Sequence, residues 1–277
     1  MTPDLYCVMG NPIAHSRSPW IHTRFAELTG QAMVYDKREI PLDHFDHSVR
    51  AFMAEGGRGC NITVPFKLEA AALASHTSER ALLALACNVL TFKNGQILAD
   101  NTDGIGLVID IERNAGLPLK GKRLLLMGAG GAAAGVLGPL LLARPAHISV
   151  ANRTRHKATQ LVARHQPLAT LQKTELTAHD LKGLEGDFDV IINATASSLR
   201  GAAVPVSEHV LKPGALAYDM MYGPNAQGFL DWARAHGAVP RDGLGMLVEQ
   251  AAEAFLIWRG VRPPSAQVLA ELRKAFT

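Results

Sequence analysis

An α/β fold in two domains is predicted by three features of the 277-residue chain. Short apolar runs alternate with stretches of helical spacing, a strand–glycine–helix unit stands near the middle, and the length suits two domains of ordinary size. Hydrophobic residues make up 48% and charged residues 19%, a balance that builds a packed core and excludes a disordered chain. Lysines and arginines number 28 against 25 acids, a net charge of +3, and they are scattered. That pattern excludes a dedicated nucleic-acid surface. Cys7, Cys60 and Cys87 lack metal-ligand spacing and are odd in number, so they read as buried thiols in a reducing cytoplasm, with no metal site.

The elements follow in order. Residues 5–9 form an apolar run closed by Gly10-Asn11-Pro12, a buried strand ending in a turn. Asp4 and Asn11 interrupt the layout a signal peptide needs. Residues 20–28 have helical spacing, with Ser18 as N-cap and Pro19 at the first helical position. A strand at 33–35, a helix at 44–53 and a strand at 59–64 come next. Strands at 88–92 and 96–99 flank the hairpin signal Lys93-Asn94-Gly95. A helix over 104–115 ends at Gly116 and Pro118. The second series has strands at 123–127, 148–151, 190–193, 215–219 and 238–240, with helical patterns between most of them. This is the signature of a doubly wound, Rossmann-like parallel sheet. Helices over 246–258 and 265–276 finish the chain, and periodicity does not say where they pack. The domains are therefore 1–103 and 104–245, followed by those helices.

Residues 124–143 are uncharged, mostly apolar and long enough for a membrane span, with Gly131 and Gly135 in small-xxx-small spacing. Gly128, Gly130, Gly131 and Pro139 punctuate such a helix badly. A buried strand, tight turn and core helix explain the same letters, so no membrane association is expected.

The run Leu124-Leu125-Leu126-Met127-Gly128-Ala129-Gly130-Gly131-Ala132-Ala133 has the order of a dinucleotide site. Gly128 permits the tight turn, Gly130 lets backbone approach a pyrophosphate, and Ala133 keeps helix and strand close. The helix start that follows offers unpaired N–H groups and a positive dipole end. An Ala/Gly-rich core helix would look similar, and the preceding apolar strand favours the cofactor reading. On the next strand end stand Asn152, Arg153, Thr154, Arg155 and Lys157, with no acid to repel a 2′-phosphate. Arg153 offers a fork for that phosphate, which favours NADP over NAD. The bland alternative is a solvated basic helix start.

Two polar loops in the first half are not explained by packing. In Asn11-Pro12-Ile13-Ala14-His15-Ser16-Arg17-Ser18-Pro19, two hydroxyls beside a helix start suit an anion such as a carboxylate. Capping by Ser18 is the simpler reading of one of them. In Asn61-Ile62-Thr63-Val64-Pro65-Phe66-Lys67 a lone lysine lies just past a strand end, where most lysines are merely solvated. Asp100-Asn101-Thr102-Asp103-Gly104 follows the hairpin, and its simplest reading is an Asp N-cap.

Taken together in order, these segments resemble the shikimate dehydrogenase family nearly end to end. Asn88, Asn193-Ala194-Thr195, Tyr218-Asp219-Met220 with Tyr222, and Asp242-Gly243-Leu244-Gly245-Met246-Leu247 to Gln250 complete the series. The resemblance implies reversible, NADP-linked reduction of 3-dehydroshikimate to shikimate, in aromatic amino-acid biosynthesis. It implies that Ser16 and Ser18 hold the substrate carboxylate with Tyr222 nearby, and that Thr63, Asn88, Asp103 and Gln250 bind ring hydroxyls. Lys67 is then the acid/base, with Asp103 orienting it or the substrate. Gly128, Ala129, Gly130, Gly131 and Ala132, with Asn152, Arg153, Thr154, Arg155 and Lys157, would bind NADP. Met220 and Gly243 would line the nicotinamide, and Glu79 matches a position near the cofactor. The family fold also returns 246–277 to the first domain. The expected partners are small molecules, in the cytoplasm, and a homodimer is left open.

Ketone reduction independently needs a proton donor beside the developing alkoxide, and a cationic lysine supplies both charge and proton. Burial would lower that lysine's pKa whereas an adjacent carboxylate would raise it, so the division of labour between Lys67 and Asp103 is not legible. Three departures stand out. Leu85 and Val89 replace the family's Gly and Thr around Asn88, Ala196-Ser197 replaces Ser-x in the loop after Thr195, and Arg259 replaces the Thr of Trp-Thr-Gly. The rivals are a quinate/shikimate dehydrogenase using NAD and a catalytically silent ligand-binding homologue. The paired serines Ser16 and Ser18, with Arg153 and no nearby acid, argue against the first, and retention of Lys67 and Asp103 argues against the second.

Overall fold

The computed structural model describes residues 2–195 and 204–275. The chain forms two units, Met1–Gly106 with Leu247–Thr277, and Leu107–Met246. The first unit contains β1 (Asp4–Gly10), α1 (Ser18–Thr29), β2 (Met33–Glu39), α2 (Phe45–Ala54), β3 (Gly57–Ile62), α3 (Lys67–Leu73), β4 (His76–Thr77), α4 (Glu79–Ala84), β5 (Val89–Lys93) and β6 (Gln96–Asp100). Its sheet has the order β2-β1-β3-β5-β6-β4. β5 runs antiparallel to both neighbours, and the other pairs are parallel. The C-terminal ends of β1, β3 and β6 and the start of β5 therefore lie along one edge.

The chain leaves the first unit within α5 (Asp103–Ile109), which runs into a π-helical turn, Asp110–Asn114. The second unit holds β7 (Arg123–Met127), α6 (Gly131–Leu142), β8 (His147–Asn152), α7 (Arg155–Gln172), β9 (Glu175–Asp180), β10 (Phe188–Asn193), β11 (Leu211–Asp219), α8 (Gln227–Ala235) and β12 (Val239–Arg241). All its strands are parallel, in the order β9-β8-β7-β10-β11-β12. This is the doubly wound order, with its reversal between β7 and β10. Leu124, Leu125, Leu126 and Met127 have no exposed surface, because both sheet faces are covered. An unbroken apolar run is what such a strand requires. Among the described residues no helix is long and apolar enough to cross a membrane.

The chain returns through α9 (Leu244–Arg259) and ends in α10 (Ser265–Ala275), both packing within the first unit beyond Met246. There Trp258 stacks on Tyr6, and Phe255 meets Phe25 edge-on. Arg24 of α1 grips Glu271 of α10 through Nε at 2.8 Å. Arg259, the departure from Trp-Thr-Gly, has a local reason: its Nε donates to Gln31 at 3.0 Å and its guanidinium pairs with Asp4.

Several expectations need correction. Ser18 is the first residue of α1 and not its cap; Arg17 occupies the cap without a side-chain bond, and the Ser16 hydroxyl accepts the Ser18 N–H at 3.3 Å. Asp103 is the first residue of α5 and not its cap, and its N–H is accepted by Asn101 Oδ1 at 3.1 Å. The helix expected over 104–115 changes pitch at Asp110, whose carbonyl accepts the Ala115 N–H. β9 was unreadable because Glu175-Leu176-Thr177-Ala178-His179-Asp180 is an edge strand with little apolar alternation. The far end of the last expected helix, Phe276, lies outside the described residues.

Leu85 explains the glycine it replaces. It ends α4 in the left-handed region, φ 52°, and is half exposed. A Cβ there costs about 1–2 kcal/mol, partly offset by the greater unfolded freedom of glycine. Leu85→Gly should therefore stabilise the protein by about 0.5–1 kcal/mol, read from urea midpoints.

His22 stacks on Tyr35 with ring centroids 4.2 Å apart and has no exposed surface. Burial pushes its pKa down to about 3. An unfolded histidine gains its proton near pH 6.5, the buried one only near pH 3, so stability falls as pH drops through that window. Between pH 7 and pH 5 the wild type should lose about 2 kcal/mol more than His22→Phe, measured by urea unfolding at both pH values.

Candidate active site

The sheet edge of the first unit gathers most of the polar residues singled out in the sequence. Lys67 opens α3 just beyond β3, and Asp103 opens α5 just beyond β6. Their side chains meet as an ion pair, with side-chain exposures of 25% and 11%. Asn88 stands just before β5 on the same edge and is buried. Its Nδ2 donates to Asp103 Oδ1 at 2.8 Å and shares its other hydrogen between Thr102 Oγ1 at 3.1 Å and Gln250 Oε1 at 3.2 Å. Its Oδ1 accepts the Thr102 N–H at 2.8 Å. Backbone bonds fix the same loop from both sides: Cys87 N–H donates to the Lys67 carbonyl at 3.0 Å, and Ile62 N–H to the Asn88 carbonyl at 2.9 Å. Leu85 thus leaves the presentation of Asn88 intact.

Ser16 and Ser18 follow β1 on the same edge, the first half-buried and the second buried. Thr63 is half-buried, and its N–H donates to the Met9 carbonyl at 3.0 Å. The Asn11-Pro12 and Val64-Pro65 peptides are cis, and Asn11 N–H donates to the Val64 carbonyl at 3.0 Å, joining the two loops. Gln250 reaches the edge from α9. Two residues had no role assigned from the sequence although they stood inside the quoted motifs. Asn61 accepts from Tyr35 Oη at 2.6 Å and donates to the Asn88 carbonyl at 3.1 Å, while Thr102 packs against Asn88. The arrangement is an ammonium group paired with a carboxylate that also accepts from the Asn88 amide, with further amides and hydroxyls along the same sheet edge. Chemically it can donate a proton to an oxygen and bind a polyhydroxylated ring. Burial, opposed only in part by Lys67, pushes the neighbouring Cys87 thiol up to about 12, so it takes no part as a thiolate.

The second unit carries the glycine turn at its sheet reversal. Gly128 has φ 109°, and a Cβ there would come within 2.9 Å of the Ala194 carbonyl. Gly130 and Gly131 have open space where a side chain would sit, directly at the start of α6. No acid occupies the first turn of that helix. The turn therefore fits a pyrophosphate, whose charge the helix N–H groups favour. Ala129 is half-buried, Ala132 exposed and Ala133 fully buried. After β8, Asn152 Nδ2 donates to the Thr154 carbonyl at 2.9 Å, and Arg153, Thr154, Arg155 and Lys157 are exposed around the start of α7. That helix also has no acid in its first turn, as a 2′-phosphate requires.

Met220 follows β11 and Gly243 follows β12. The Gly243 N–H donates to the Met221 carbonyl at 2.8 Å, and a Cβ on Gly243 would strike the Met220 backbone. Tyr222, half-buried, precedes a short helical turn in this unit. Glu79 opens α4 in the first unit and is exposed. Ala196 and Ser197 lie outside the described residues. A crevice of about 400 Å³ over β8 and β9 is lined by Arg123, His147, Arg155 and His179, and of the residues assigned to the cofactor it includes Arg155 alone.

Comparison with known proteins bears on both sites. Residues 8–90 match the shikimate dehydrogenase substrate binding domain, residues 111–210 the shikimate/quinate 5-dehydrogenase family, and residues 243–273 the shikimate 5′-dehydrogenase C-terminal domain. A shikimate dehydrogenase (NADP(+)) from Acidovorax sp. (strain JS42) is 69% identical over 273 residues, 99% of this chain and 97% of that protein. Among solved structures, an Ael1 enzyme from Pseudomonas putida superposes with a TM-score of 0.90 at 47% identity, covering 97% of this chain and 98% of that one. Shikimate 5-dehydrogenase from Thermus thermophilus, in complex with NADP(H) and shikimate, gives 0.84 at 29% identity, covering 98% and 99%. The chain belongs to the shikimate dehydrogenase family.

Proposed function

We propose that this protein is an NADP-dependent shikimate dehydrogenase, reducing the ketone of 3-dehydroshikimate to the alcohol of shikimate, reversibly. The observation that carries the reading is the Lys67–Asp103 ion pair on the sheet edge where Ser16, Ser18, Thr63, Asn88 and Gln250 also stand. Bound NADPH supplies the hydride that the ketone carbon accepts. Lys67 donates its proton to the oxygen that becomes negative, and the neutral amine is recharged from solvent. Asp103 holds the ammonium group in place and, with Asn88, fixes a ring hydroxyl. Ser16 and Ser18 donate to the substrate carboxylate, with Tyr222 near it, while Thr63 and Gln250 take ring hydroxyls. Gly128, Ala129, Gly130, Gly131 and Ala132 hold the pyrophosphate. Asn152, Arg153, Thr154, Arg155 and Lys157 surround the 2′-phosphate, Met220 and Gly243 line the nicotinamide, and Glu79 serves the cofactor side.

The protein acts in the cytoplasm on this reading, which the three free, buried cysteines support. The test is steady-state kinetics with shikimate and quinate against NADP and NAD. Shikimate with NADP should give the highest kcat/KM; a preference for quinate with NAD, or NADP binding without turnover, would overturn the reading.

A further inference from the structure

Asp110 is a charged residue with no exposed surface, lying in the π-helical turn of the second unit. It accepts four hydrogen bonds. Oδ1 takes Arg241 Nη2 at 2.6 Å and Asn114 Nδ2 at 2.9 Å; Oδ2 takes Arg241 Nε at 2.8 Å and Tyr218 Oη at 2.8 Å. A buried carboxylate is tolerated only when its lone pairs are filled in this way. A Cβ on Gly245 would strike that carboxylate, so the start of α9 packs directly against it.

The location of the cluster matters more than its strength. Tyr218 and Arg241 are partners in register, the last rung between β11 and β12. Two residues beyond that rung on each strand stand Met220 and Gly243, which meet backbone to backbone. Asp219 continues the strap: its Oδ1 accepts the Met221 N–H at 2.8 Å and its Oδ2 accepts from Asn193 Nδ2 at 3.0 Å. Besides the backbone ladder and the Gly243–Met221 bond, the strands that lead into the two segments assigned to the nicotinamide are thus bridged by one carboxylate, through Tyr218 on one and Arg241 on the other. A π-turn is a frequent companion of functional sites, and this one places Asp110.

We propose that Asp110, gripping Tyr218 and Arg241, is a positioning residue that sets the spacing of the Met220 and Gly243 strand ends and hence the pose of the nicotinamide ring. This rests on the assignment of Met220 and Gly243 to that ring. Tyr218→Phe removes one bond and keeps the packing; Arg241→Lys, at a partly exposed position, removes one arm of the fork. Each variant should lower kcat by about 5–20-fold, since a misplacement of about 1 Å at the reacting centre costs up to about 10²-fold and each variant removes only part of the grip. KM for 3-dehydroshikimate and Kd for NADPH should stay near the wild type, because the opposite end of the cofactor anchors it. The isotope effect with NADPH deuterated at the transferred position should rise. Independently of turnover, the fluorescence anisotropy of bound NADPH should fall as the ring gains freedom.

Folded variants with wild-type kcat, isotope effect and anisotropy would overturn the inference. So would a fall in kcat matched by an equal loss of NADPH affinity, or one that only tracks the fraction of protein folded. A wild type without NADPH-dependent reduction overturns the proposed function first and this inference with it, so the two failures are distinguishable.

Discussion

Lys67→Ala should lower turnover of 3-dehydroshikimate by about 10²–10⁴-fold, the range that a positioned general acid contributes. Shikimate affinity should stay within the same order of magnitude, because Asn88, Thr102 and Gln250 keep their mutual hydrogen bonds without the lysine. Lys67 contributes at two moments: its charge opposes the negative oxygen as it forms, and its proton then neutralises it. Alanine removes both and leaves Asp103, still bonded to Asn88 at 2.8 Å, as a carboxylate facing a negative transition state. The substitution therefore adds repulsion to the loss of attraction. Single-turnover reduction together with titration of shikimate binding separates the two quantities. Turnover near the wild type with intact binding would show that another group delivers the proton.

Arg153→Ala should raise KM for NADP by about 10–100-fold and leave KM for NAD nearly unchanged, as expected for one lost charge-assisted phosphate contact. Arg153 is exposed beside the start of a helix with no acid in its first turn, so its removal strands no buried partner. Stability should hardly change. The ratio of kcat/KM for the two cofactors is the readout. An equal loss with both would assign Arg153 to general cofactor binding, and no loss with either would remove it from the site.

How far these sites were legible in the sequence differs between the two units. The second unit announced itself because Leu124, Leu125, Leu126 and Met127 must be apolar on both faces and Gly128 must take a φ that other residues resist. Its edge strand β9 carried no such constraint and went unread. In the first unit the motifs Asn61–Lys67 and Asp100–Gly104 stood out as polar loops, yet spacing alone could not bring Lys67 against Asp103. Their meeting depends on the strand order β3-β5-β6, which is a long-range property. Asn61 and Thr102 stayed hidden because an amide or hydroxyl in a loop is ordinary until its partner is known. The Asp110 cluster joins residues more than a hundred positions apart, so no local pattern carries it. Leu85 is the reverse case: a departure visible in the letters, whose left-handed backbone gives the reason that glycine suits the place.

Deuterium tracing addresses the hydride transfer itself. Shikimate labelled at the carbon bearing the oxidised alcohol, mixed with NADP and the pure wild-type chain, should pass its deuterium to the nicotinamide and yield deuterated NADPH. Deuterium released to water, or no reduced cofactor at all, would contradict the reaction assigned to Lys67 and Asp103.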